Sequence, residues 1–397
     1  MDRNIRIPLS NPDIGPGEKM AVLDTLNSGR LSLGPVVPRF EELLAQHIGA
    51  RFAVAVNSGT SGLHLCVKAA AIGDGDEVIT TPFSFVASAN CILLEGGVPR
   101  FVDIDPVTLN IDPELIEAAL GPRTHAILPV HIFGRPCPMH RIMSIAVTHG
   151  LAVIEDACEA IGATIDGQFA GTFGQTGVFA FYPNKQITTG EGGIIVTEDE
   201  AIATLCRSWR NQGRGGDGNW LVHERLGYNY RLSDLNCALG TVQIQRLDEI
   251  LSIRAAVADK YTRLLADRVP DVITPAPAEF GTSISWFVYV VRLRDEFSAQ
   301  DRNEVVRKLR DAGIGCNNYF PPIHLQPFYA ERFGYKPGAF PVTEHTAERT
   351  IALPFFNRLG DAEIEIVCES FADAIASLRR RGGRRKLVAY PGSASLR

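Results

Sequence analysis

Residues 151–162 read LAVIEDACEAIG. The apolar run from Leu151 to Ile154 describes a strand buried on both faces, as in a parallel sheet covered by helices. The strand delivers Asp156 at its C-terminal end, where open α/β sheets bind ligands. Two roles are open to that carboxylate: pairing with a protonated ring nitrogen, or capping a helix over 157–161.

Similar short apolar runs flank it at 52–56, 77–80, 99–102, 126–129, 178–181 and 193–196, with helix-like stretches between them at 61–71, 86–95, 113–120 and 138–149. The alternation predicts an α/β domain with a mostly parallel seven-stranded sheet between helices. This large domain, with its N-terminal segment, is expected over 1–249. From 235 to 269 the sequence reads as one long helix, without Gly or Pro after Gly240. A strand at 285–292 and helices at 299–312 and 361–379 follow. They predict a smaller α+β C-terminal domain over 250–380, and the Gly- and Arg-rich stretch 381–397 is expected to be a mobile tail.

The 397 residues carry 39 Lys+Arg and 45 Asp+Glu, a net charge of −6, with 45% hydrophobic residues. That mixture excludes wholesale disorder, and the acidic balance disfavours a nucleic-acid partner. No apolar run is long enough for a membrane span, and the first residues lack the apolar core of a signal peptide. The eight cysteines are scattered without a C-x-x-C pair, and the nine histidines lack metal-ligand spacing. A cytoplasmic protein without a protein-bound metal is the expectation. The sequence GRGGDG at 213–218 satisfies G-x-G-x-x-G, but it has neither a preceding strand nor a following helix, and reads as a loop.

Three local features carry chemistry. Asn57–Gly62 (NSGTSG) follows a strand and opens a helix; such a turn can cradle a phosphate or simply cap the helix. Asp156 is the second. The third is Lys185 in FYPNKQITTGEGG (181–193), between an aromatic strand and a Gly-rich turn. A partly desolvated lysine there can form a Schiff base, whereas most lysines simply extend into water. A cradle, a carboxylate and an imine-forming lysine, in this order on one α/β domain, match pyridoxal 5'-phosphate (PLP) chemistry.

With SGTSG (58–62), TPFSFVASAN (81–90), EDACEAIG (155–162), FYPNKQITTGEGG (181–193) and GYNYRLSDLNCALG (227–240), the chain resembles the DegT/DnrJ/StrS nucleotide-sugar aminotransferases of fold type I, over roughly residues 5–375. The resemblance implies that Lys185 holds the PLP aldehyde and Asp156 bonds the pyridine nitrogen. It implies that Phe85 stacks on the ring, that Gly59, Thr60 and Ser61 hold the phosphate, and that Glu159 lies near the phenolic oxygen. Asn229 would reach the phosphate of a second subunit, so a homodimer with shared sites is implied. Arg231 and His324 are candidate substrate contacts, and the loops GRLSLGP (29–35) and YFPPIHLQ (319–326) would border the substrate. The family often has Ser where this chain has Ala180, which removes one phosphate ligand. Members that deoxygenate sugars replace the lysine with histidine, so Lys185 implies transamination. The expected reaction carries an amino group from L-glutamate to a nucleotide-linked 4-keto-6-deoxyhexose. A 3-keto sugar nucleotide or a keto-cyclitol is the alternative acceptor. A non-catalytic regulatory protein is a further alternative, against which the intact Lys185 and Asp156 argue.

Overall fold

The computed structural model describes residues 5–215 and 222–388. Its centre is a seven-stranded sheet. The strands lie across it in the order Phe52–Val56, Gly193–Thr197, Thr176–Ala180, Ala152–Asp156, Thr124–Ile127, Glu77–Thr80 and Val98–Phe101. The pairings from Thr176–Ala180 onward are parallel; Gly193–Thr197 runs antiparallel to both its neighbours. The mostly parallel seven-stranded sheet read from the sequence is therefore present. No helix follows Asp156, where a capped helix had been the alternative; the chain turns instead.

Helices on both faces bury the sheet. Gly59–Ala69 packs its Leu63, Leu65, Cys66 and Val67 into one core with Val54, Val78 and Ile154. Val36–Ile48 presents Val37, Phe40 and Leu44 to the other side, against Phe179, Phe181 and Ile194. No helix among the described residues is long and apolar enough to cross a membrane.

A second core surrounds a three-stranded antiparallel sheet of Val272–Ile273, Tyr289–Leu293 and Thr350–Leu353, covered by Ala299–Asp311 and Asp361–Val388. Three expectations change here. The helix expected over 235–269 is two helices, Asp234–Gln245 and Leu247–Arg268, broken at Arg246. Nothing local forces the break. Arg246 ion-pairs with Asp13, Glu18 and Glu249, and Gln243 bonds Glu18 and the Asp13 carbonyl, which pins the joint to the N-terminal segment. That N-terminal segment serves both bodies. Ile7 is buried in the second core, the amides of Arg6 and Ile7 donate to the Gly313 carbonyl, and the Phe355 amide donates to that of Leu9. Finally, the last helix runs to Val388, into the stretch expected as tail; residues 389–397 lie outside the described residues.

The helix Leu247–Arg268 joins the two cores: Leu247 and Ile250 belong to the first, Val257, Tyr261 and Leu265 to the second. Between them Arg254 is buried. It donates from Nε to the Trp286 carbonyl (2.6 Å), from Nη2 to the Phe287 carbonyl (2.6 Å) and from Nη1 to Asn357 Oδ1 (3.0 Å), and lies over the Phe355 ring. Arg254→Met keeps the stem and removes the donors, leaving two carbonyls unmet. We expect a loss of about 3 kcal/mol in unfolding free energy, measured by denaturant titration.

Candidate active site

The cleft opens at the C-terminal ends of the parallel strands and holds about 1000 Å³. Its floor is Ser58 and the first turn of Gly59–Ala69. Ser58 caps this helix, its Oγ accepting the Ser61 amide at 3.1 Å. The first hydrogen bond within the helix is Gly62 N–H to the Ser58 carbonyl, so the Gly59 and Thr60 amides have no helical partner and face an opening that both residues line. Glycine is required at 59: a Cβ there would lie 2.8 Å from Ala180 Cβ and 2.9 Å from Cys158 Sγ. The helix terminus thus sits directly on the strand ends. Ala180 lines the cleft and brings it no hydroxyl.

Ser61 does not join this cradle. Its hydroxyl donates to Asn57 Oδ1 at 2.6 Å, and the residue is buried off the cleft. Ser58 lines the cleft instead.

Asp156 and its neighbour Glu155 point to opposite faces of one strand. Glu155 is fully buried and accepts from His131 Nε2 and from the amides of Gly171, Phe173 and Gly174, at 2.6–2.9 Å. Asp156 lines the cleft. Its Oδ2 accepts the Ser88 hydroxyl at 2.7 Å and its Oδ1 the Cys158 amide at 3.2 Å.

Lys185 enters from the turn after Phe181. Its side chain is 14% exposed, with Nζ 3.4 Å from Glu159 Oε1 and 4.0 Å from the centre of the Phe287 ring. The lysine that extends into water is therefore not the one seen here. Glu159 is buried, and its Oε2 accepts the Phe133 amide at 2.8 Å. Burial holds its carboxyl above the usual range, against the opposing pull of Lys185 and of that amide. Phe85 stands in the cleft 61% exposed, an aromatic face presented to an occupant rather than to the core.

The remaining expected residues lie elsewhere. Asn229 is exposed and Arg231 donates to Asn211 Oδ1; neither lines this chain's cleft. His324 is fully buried and turned to Glu344 Oε1 (3.0 Å), among Phe340 and Tyr335. It is a packed histidine that anchors the loop, not a substrate contact. The loop itself does border the cleft, through Tyr319, Phe320, Ile323 and Gln326. The 29–35 loop does not; the Gly34 and Val36 amides bind Asp234. Of the GRGGDG stretch, 216–218 lie outside the described residues. No group of three or more His, Cys, Asp or Glu among the described residues is placed to hold a metal ion.

The match to known proteins agrees with this geometry. The model of the DegT/DnrJ/EryC1/StrS aminotransferase family covers residues 12–372. The chain belongs to that family. It is 39% identical to the spore coat polysaccharide biosynthesis protein SpsC of Bacillus subtilis, over 94% of this chain and 98% of that one. It is also 39% identical to GDP-perosamine synthase of Caulobacter vibrioides, over 82% and 87%. Spr1654 of Streptococcus pneumoniae, solved in a PLP form, superposes with a TM-score of 0.88 at 27% identity, covering 93% and 98%. The chain is thus an aminotransferase, with the fold of that class.

Sequence reasoning missed Phe287, Ser84 and Ser88. Phe287 comes from the second body, some hundred residues beyond Lys185, and nothing local announces it. The serines had a weaker signal: both lie in TPFSFVASAN, but Ser84 precedes the helix Ala87–Leu93, so their contact is made across its entry turn and not along the helix.

Glu159 yields a test. A carboxyl whose folded pKa is raised binds its proton more readily folded than unfolded, so its contribution to stability is present at acid pH and lost as pH rises through the folded value. Glu159→Gln removes that loss. In thermal unfolding of the protein without cofactor, the variant should gain on the wild type from pH 4.5 to 7, and the gap should close toward acid.

Proposed function

We propose that this aminotransferase uses PLP to move an amino group from L-glutamate to a nucleotide-linked keto-sugar, with an NDP-4-keto-6-deoxyhexose as acceptor. The observation that carries the reading is the convergence in one cleft of an enclosed lysine amine, a strand-end carboxylate and a helix N-terminus with two unpaired amides. These groups fit the cofactor on chemical grounds. The Gly59 and Thr60 amides and the helix dipole suit a phosphate. Asp156 suits a protonated ring nitrogen, and Phe85 offers a face for stacking. The cleft, at the upper end for a single small ligand, leaves room for cofactor and sugar together. The names of the relatives that make GDP-perosamine and spore coat polysaccharide support a sugar acceptor.

PLP supplies an electron sink for the bond changes at the amino-bearing carbon. The chain supplies the rest. Asp156 would keep a proton on the ring nitrogen. Lys185 Nζ would hold the aldehyde and, as a free amine, would take and return the proton at the reacting carbon. Phe287 covers Nζ and excludes water from one side, while Glu159 orients it. The polar side chains Asn184, Asn317, Asn318 and Gln326 surround the space left for the sugar. One of them, Asn184, has a buried Oδ1 without a protein partner.

We further propose a homodimer with shared sites. Asn229 is exposed and lies off its own cleft, and the cleft mouth shows the large apolar side chains Phe85 and Phe328.

The purified protein should absorb in the visible with PLP bound and bleach on L-glutamate. Lys185→Ala should lose at least about 10³-fold in rate, as befits removal of the acid–base group. A Lys185→Ala protein that still aminates would refute the assignment; turnover confined to 3-keto sugars or cyclitols would refute the chosen acceptor. Mixing inactive Lys185→Ala with a weakly active Asn229→Ala protein should restore activity beyond the sum of the two, because one of the two sites in the mixed dimer then carries both native residues. Activity that merely adds would refute sharing.

A further inference from the structure

We propose that Ser84 and Ser88 form a directional hydroxyl relay that holds the Asp156 carboxylate in place for the cofactor's ring nitrogen; this rests on the PLP reading above. Ser88 lies on the helix Ala87–Leu93, and its Oγ is 2.7 Å from Asp156 Oδ2. A carboxylate only accepts, so the single Ser88 proton is committed to Asp156. Ser84 Oγ lies 2.8 Å from Ser88 Oγ. With the Ser88 proton spent, Ser84 must be the donor of that bond. The proton order is therefore fixed: Ser84 to Ser88, Ser88 to Asp156.

Both serines are buried, and Ser84 and Ser88 also line the cleft. Neither hydroxyl is used to cap the helix, which has Val86 at its N-cap and no side-chain cap bond. The second Asp156 oxygen is held from another direction by the Cys158 amide. Each carboxylate oxygen thus has a fixed donor, from two different segments, which restrains rotation about the Cβ–Cγ bond. Charge-assisted bonds of this kind are shorter and stronger than neutral ones. Phe85 stands between the two serines in sequence. One short segment therefore sets both the aromatic face and the orientation of the acid. Ser84, having donated inward, offers only acceptor lone pairs to the cleft.

Ser88 and Ser84 are positioning residues, and the test separates their role from that of the cofactor. First, the cofactor-free protein is unfolded in denaturant as wild type, Ser88→Ala, Asp156→Ala and the double variant. The effect of Ser88→Ala should largely vanish in the Asp156→Ala background; additive effects would overturn the relay. Second, PLP is titrated into each folded apoprotein. Ser88→Ala should bind roughly 10-fold or more weakly, the scale of a hydrogen bond to a charged group, with a shifted absorption band because the ring proton is held less firmly. Ser84→Ala should move the same way by less, and Ser88→Thr, which keeps a hydroxyl, should restore the wild-type band. Ser88→Ala with wild-type affinity and spectrum would overturn the proposal. If the wild type takes up no PLP while the unfolding cycle still shows coupling, the hydroxyl relay stands and the cofactor assignment falls.

Discussion

A carboxylate buried at the end of a β-strand is costly unless donors and an opposite charge meet it. Two such carboxylates stand side by side here, and the way each is met organises the site. Glu155, on one face, takes four donors and is saturated, binding the chain after residue 170 and the His131 segment to the sheet. Asp156, on the other, takes the Ser88 hydroxyl and the Cys158 amide and lines the cleft. The two-residue period of the strand thus separates a saturated, structural acid from one open to the cleft within a single dipeptide.

The same economy governs the lysine. An amine enclosed to this degree needs a partner and a lid, and these come from different parts of the chain. Glu159 arrives three residues after Asp156 through a turn. Phe287 arrives from the second body, its carbonyl and that of Trp286 held by Arg254. Arg254 sits on the helix that runs from one core to the other, so the position of the ring over Lys185 depends on how the two bodies pack. Chemistry drawn from the large sheet is completed by packing elsewhere.

Much of this was legible. Buried strands of the central sheet announce themselves because both faces are apolar, and the helix-like stretches between 56 and 152 mark the crossovers of its parallel part. Asp156 and Lys185, which the fold brings into one cleft, could be singled out because the residue types suited to such a cofactor are few and their order along the chain is characteristic. The errors share a cause. Ser61 and Ser58 are equivalent in composition, and only the geometry of the first helical turn shows that Ser58 faces the cleft while Ser61 bonds Asn57. The break at Arg246 has no glycine or proline to mark it; ion pairs to Asp13 and Glu18, more than two hundred residues away in sequence, accompany it. His324 looked like a substrate contact because it lies in a loop over the cleft, yet its ring is packed among aromatics and bonded to Glu344.

The sequence by itself determined the sheet and the class of enzyme, and it named two of the groups that meet in the cleft, Asp156 and Lys185, since periodicity and residue type are local properties that neighbouring residues impose on one another. Only the tertiary structure decided which hydroxyl holds Asp156, which ring covers Lys185 and which histidine is merely packed. Those are contacts between segments distant along the chain, and their existence depends on the direction of each side chain once the whole molecule has closed around it.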